Sequence, residues 1–119
     1  MANITSLHEI EKLTQGDKKI LKDFLEIFVK EGSLQAERLQ RYLDTRDHVD
    51  LRNTAHKLKS SLMIIGLDFY RPLAEDIELN GEKDPVKTKQ QVLELMIVYK
   101  RALSELKMKL EEIYHDQNL

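Results

Sequence analysis

The chain has 119 residues, 41% hydrophobic and 34% charged, with a formal net charge of −2 and no cysteine. That is enough apolar sequence for one core, read here as one domain over 1–119; it excludes a disulfide framework and a thiolate metal site, and the lack of a long basic block argues against nucleic acid as a partner. No apolar run is long enough to cross a bilayer, and the N-terminus lacks the basic start and apolar stretch of a signal peptide, so a cytoplasmic protein or segment without membrane contact is expected.

Hydrophobic periodicity is helical throughout, with no alternating strand pattern and no repeat. A short first helix is expected over 5–13, with Ile10 and Leu13 turned inward. Thr14 then reads as an N-cap, with Asp17 at the capping-box position. The second helix, over 17–44, carries Leu21, Phe24, Leu25 and Phe28, then Leu39, Tyr42 and Leu43. Gly32-Ser33 interrupts it, and the spacing favours one long helix over two. Asp47 caps the third helix and Gly66 stops it. Tyr70, Leu73, Ala74 and Ile77 form the apolar face of the fourth, with Pro72 in its first turn, and Asn80-Gly81 ends it. Asp84-Pro85 opens the last helix as N-cap and N1. Its stripe is Val92, Met96, Tyr99, Leu103, Leu106, Leu110 and Ile113. The expected fold is all-α: an antiparallel four-helix bundle with a short additional N-terminal helix over one end. Such a scaffold does not specify a function.

The third helix carries the most informative residues. Leu51, Ala55, Leu58, Leu62 and Ile65 step by four, three, four and three along one apolar stripe. At about 100° per residue, His56 points about 140° from the centre of that stripe. Arg52, Lys59, Ser60 and Met63 fall on the same side as His56. A histidine so placed can be reached from solvent. At neutral pH much of an imidazole is uncharged and nucleophilic. Attack by one ring nitrogen on a phosphoryl group gives a phosphoramidate, while the other nitrogen keeps its proton and donates it to an acceptor. The added group brings about −1.5 to −2 charges. Lys59, one turn away, is placed to offset them. Ser60 is small enough to let a phosphoryl donor approach, and its hydroxyl can reach a phosphoryl oxygen.

The run His56-Lys57-Leu58-Lys59-Ser60-Ser61, with Gly66, resembles the signature of histidine phosphotransfer (HPt) domains of multistep two-component signalling. That signature has histidine, an apolar residue at +2, lysine at +3, usually glycine at +4, a small residue at +5 and glycine at +10. Upstream, Thr14-Gln15-Gly16-Asp17 and the helix bearing Phe28 are also similar, and Ile77-Glu78 sits where the family often has Leu-Glu. The resemblance spans roughly residues 5–110 and departs at Ser60, where glycine is usual. It implies a phosphocarrier without kinase activity. His56 would accept a phosphoryl group from a receiver-domain aspartate and pass it to another receiver, with Glu78 as acceptor for the second ring nitrogen. The implied partners are receiver domains of response regulators or hybrid histidine kinases, and a monomer is expected. Mg²⁺ would belong to the receiver, so neither a metal nor a cofactor is expected on this chain. Met63 and Ile64, at +7 and +8 from His56 and outside the core stripe, suit a docking face. Arg52, Lys57 and Ser61 complete the expected partner-facing set.

Other readings are weaker on the residues. His8, His48 and His115 read as ordinary surface histidines. A di-metal bundle needs two Glu-x-x-His pairs plus two more glutamates, and only Glu112 and His115 form such a pair. The phosphoacceptor and dimerisation domain of a histidine kinase usually has an acidic residue after the histidine and a proline soon after. Here Lys57 follows, and no proline comes before Pro72. A non-catalytic HPt-like adaptor that only binds a receiver or kinase is the remaining alternative, and Ser60 is the residue that favours it.

Overall fold

The computed structural model describes residues 3–117, with only the backbone of Gln117. Five α-helices follow in order: α1 (His8–Thr14), α2 (Lys18–Thr45), α3 (His48–Ile64), α4 (Arg71–Asn80) and α5 (Pro85–Gln117). A single 3₁₀ turn, Asp68–Tyr70, leads into α4. No strand occurs among the described residues.

The helix boundaries follow local chemistry. Asp17 is the N-cap of α2, its carboxylate accepting from the Lys19 and Ile20 N–H groups at 2.9 and 3.1 Å. Thr14, expected in that role, instead ends α1; it is buried, and its hydroxyl donates back to the Ile10 carbonyl at 3.0 Å. Asp is as good a cap as Thr, and Thr14 is needed inside. Helix α1 is also shorter than the expected 5–13. Leu13, expected inward, is 64% exposed, because Ile10 and Thr14, four apart, take the inward positions. Helix α2 runs unbroken through Gly32, where it packs tightly on α5. A Cβ there would lie 2.6 Å from Leu103 Cδ2 and 3.0 Å from the Tyr99 hydroxyl. Tyr99 is 1% exposed, and burial pushes its pKa up to about 12. Its hydroxyl donates to Gln35 at 3.2 Å.

Asp47 caps α3, accepting from the Asp50 N–H at 3.0 Å. At the other end Gly66 takes a φ of 81°. The Gly66 and Leu67 N–H groups return to the Met63 and Leu62 carbonyls at 3.3 and 2.8 Å, a Schellman closure. Pro72 sits in the first turn of α4. Tyr70, expected on α4, lies in the turn before it and is half-buried. Asp84 accepts from the Lys87 N–H at 3.1 Å, and Pro85 starts α5.

Helix α2 packs on α3 and α5, α3 on α4, and α4 on α5, which closes the bundle. Its members are unequal. At about 1.5 Å per residue, α5 spans about 50 Å and α4 about 15 Å. Beyond the C-terminal end of α3, the long α2–α5 pair is covered by α1, whose Ile10 is wholly buried in the common core with Leu25 and Leu106. Residues 3–7 form a non-helical strap leading to α1. The strap is anchored twice. Glu105 on α5 accepts from the Ile4 and Thr5 N–H groups, each at 2.9 Å, and from the Thr5 hydroxyl at 2.7 Å. The Ser6 N–H donates to the Ile65 carbonyl at 2.8 Å.

Two consequences are measurable. Gly66→Ala forces a side chain into left-handed backbone, at about 1–2 kcal/mol, and its Cβ meets Ser6 Cβ at 2.7 Å. Urea unfolding should show at least that loss, with an unchanged m-value. Burial raises the Glu105 pKa, but its three strap donors and Arg101 outweigh it and hold the carboxyl below the usual glutamate value of 4.5. The unfolded state therefore binds more protons, so Glu105 stabilises the fold above that value and loses its contribution as acid protonates the folded carboxyl. The urea midpoint should fall as pH drops below 4.5. Glu105→Gln should start lower and show a shallower acid limb.

Candidate functional site

His56 lies in the middle of α3, opposite α4. Ile77 on α4 is wholly buried, and the next residue, Glu78, is directed along the α3–α4 seam. The His56 side chain is 68% exposed, whereas that of Glu78 is only 14% exposed. His56 Nδ1 lies 2.7 Å from Glu78 Oε1. Glu78 Oε2 lies 2.7 Å from Lys59 Nζ, an ion pair without a well-directed hydrogen bond. One carboxylate thus holds both the imidazole and the lysine one turn further along α3. The Lys59 ammonium is the largest cause holding the Glu78 carboxyl below the usual range; burial opposes it and the His56 N–H reinforces it.

Proton placement follows. An ionised carboxylate only accepts hydrogen bonds, so Nδ1 must carry the proton and donate it. The uncharged ring then has its lone pair on Nε2. No described residue hydrogen-bonds to Nε2. A nucleophile of fixed tautomer, open to solvent and backed by a half-buried carboxylate, can attack an electrophile delivered by a second molecule.

The other sequence-derived residues divide. Arg52, Lys57 and Ser60 are exposed around His56. Arg52 is paired with Glu82 beyond α4 at 3.1 Å. Ser61, expected to face a partner, is half-buried and turns inward: its hydroxyl donates to the Lys57 carbonyl at 3.3 Å and lies by the Tyr99 hydroxyl. Five residues past His56 is about 140° around the helix, which gives the reason. Met63 is 47% exposed, while Ile64 is half-buried against the core. Both line a groove of about 620 Å³ whose opposite wall includes Ser6, His8 and Leu13. His48 is more than a solvated histidine: it is half-buried, with its ring edge-on to Tyr42 at 5.7 Å between centroids.

Sequence reasoning missed the Glu82 partner of Arg52 and the α1 wall of the groove. Neither carries a sequence signal. Glu82 is one of many surface acids, and α1 is too short for periodicity to orient Leu13. Among the described residues no group of three or more His, Asp or Glu is placed to hold a metal ion. No helix among them is long and apolar enough to cross a membrane.

Known proteins bear on this geometry in two ways. A crystal structure at 1.80 Å of the HPT domain from an Hpt sensor hybrid histidine kinase of Shewanella superposes with a TM-score of 0.73 at 18% identity, covering 90% of this chain and 93% of that one. At that identity the likeness establishes the helical-bundle fold. No curated protein sequence matches significantly. The family profile described as "Hpt domain" matches residues 23–114. That segment runs from the first turns of α2 nearly to the end of α5 and contains His56, Lys59 and Glu78. The chain belongs to the Hpt domain family, whose members carry phosphoryl groups in phosphorelays rather than acting as kinases.

Proposed function

We propose that His56 is the phosphoacceptor of a relay step between receiver domains. The carrying observation is the 2.7 Å contact of Nδ1 with Glu78 behind a ring that is 68% exposed. The Nε2 lone pair attacks the phosphorus of a receiver's aspartyl phosphate. The N–P bond forms as the bond from phosphorus to the carboxylate oxygen breaks, and the aspartate leaves as a carboxylate. The proton on Nδ1 stays in place, and Glu78 stabilises the positive charge that develops on the ring. Reversal onto a second receiver completes the transfer.

Lys59 has a second task in this reading. In the free chain it is paired with Glu78. A phosphoryl group on Nε2, with about −1.5 to −2 charges, competes for that ammonium one turn away. Ser60 lies beside the site as a small residue, and Arg52 and Lys57 offer a basic rim to a receiver's acidic pocket. Met63 and Ile64 supply apolar contact further along α3. The receiver partners are domains of response regulators or hybrid kinases, and the chain acts as a monomer, which leaves His56 open.

The deciding experiment incubates the chain with each phosphorylated receiver domain of the same genome. It should gain acid-labile, base-stable phosphate, and His56→Gln should gain none. If the wild type gains none from any of them, the chain is a binding adaptor instead. Glu78 is tested separately. In wild type, nitrogen NMR of the uncharged His56 ring should show the proton on Nδ1. Glu78→Ala should lower that population and slow transfer at least tenfold, while Glu78→Gln, whose carbonyl can still accept, should retain most of both.

A further inference from the structure

The groove beside Met63 has one wall from α3 and the other from the strap and α1, and the second wall lies outside the matched segment 23–114. The walls present exposed apolar side chains, Met63 at 47% and Leu13 at 64%. Met63 is seven residues past His56, so the groove opens on the same side of α3, about 10 Å along the helix. Charge changes along this line. The His56 end is rimmed by Arg52 and Lys57, and the groove end by Asp68 and by Glu9, which is held in an exposed pair with Lys12 at 3.5 Å. The position of the α1 wall depends on distant contacts. Glu105 on α5 takes three donors from Ile4 and Thr5. Ser6 then crosses Gly66 so closely that a Cβ there would meet the Ser6 backbone nitrogen at 3.0 Å.

Resting on the phosphocarrier reading, we infer that the strap and α1 form a receiver-selecting wall, that its occupant is an apolar side chain flanked by a basic one on the docked receiver, and that Glu105 is a positioning residue for it. A receiver whose acidic pocket sits over His56 and the basic rim places its neighbouring surface over Met63 and Leu13. Asp68, and Glu9 once its weak exposed pair with Lys12 opens, favour a basic residue there. An apolar side chain inserted between Leu13 and Met63 removes both from water. The wall is built from this chain's own N-terminal segment, so it discriminates among receivers that the shared helices alone treat alike.

The test separates docking from chemistry. Docking is read as the dissociation constant of the unphosphorylated chain for the receiver, among those of the same genome, that binds the wild type tightest. Chemistry is read as labelling of His56 by phosphoramidate, a small donor that needs no docking. Leu13→Asp should weaken receiver binding at least tenfold, and Leu13→Met should bind within twofold of wild type. Glu105→Gln and Thr5→Val should each weaken binding three- to tenfold at temperatures where circular dichroism shows them folded. Phosphoramidate labelling should stay within twofold in all four. Unchanged binding by Leu13→Asp, or no receiver binding at all, overturns the wall. Unchanged binding by both strap variants overturns the positioning role of Glu105. Failure of the wild type to label with phosphoramidate overturns the phosphocarrier reading instead, while the binding arm still decides the wall.

Discussion

Glu78 follows a residue that is wholly buried, Ile77, on a helix of only ten residues. Its backbone therefore cannot shift without disturbing the core, and its carboxylate is held at a fixed place on the α3–α4 seam. That constraint organises the site. One oxygen sets the His56 tautomer and the other holds Lys59, both at 2.7 Å. Burying a carboxylate is costly unless it is paired. Here the groups that offset the cost are the His56 ring and the Lys59 ammonium. Loss of either partner leaves the carboxylate less well compensated, so the three side chains act as a unit whose effects are not additive.

The nearby Arg52–Glu82 pair has a different character. Both side chains are more than half exposed, and exposed pairs of this kind contribute about 0–1 kcal/mol. It can open at little cost when a partner arrives. Lys59 is only 19% exposed and sits against the Glu78 carboxylate. Its release needs a stronger competitor than an exposed pair does. Burial thus sorts two cations on one helix face: the exposed Arg52 pair opens easily, and the half-buried Lys59 stays against the carboxylate.

Most of this architecture was legible in the sequence because the decisive signals are periodic. Stripes of apolar residues on long helices specify which face turns inward. Asp47, Gly66 and Asp84-Pro85 mark ends by chemistry that acts within one turn. The errors fall where the signal is short or competing. Thr14 and Asp17 are both good caps, and only the packing of α1 decides between them. Leu13 is expected inward with Ile10, three residues before it, but in a helix of seven residues the one buried face is filled by Ile10 and Thr14. Ser61 matches the small +5 position of the family signature, but five steps on a helix turn a side chain about 140° from His56, toward the core. The single helix through Gly32 was legible, but the reason for a glycine there was not: nothing in one helix reveals how closely another approaches it.

The unequal helix lengths explain why the N-terminal segment matters. A ring of four equal helices would bury its own ends and leave a leading segment free. Here α3 stops at Ile64 while α2 and α5 run on, so apolar surface on the long pair remains to be covered. Helix α1 covers it, and the strap that leads there has to pass over the closing turn of α3. Gly66 permits that crossing and Glu105 secures it. The route brings Ser6 and α1 beside Met63, on the side of α3 that carries His56. Covering the core and lining the groove beside Met63 are therefore consequences of one path of the chain. A change in the strap that leaves the core intact still moves the groove wall on the His56 side of α3.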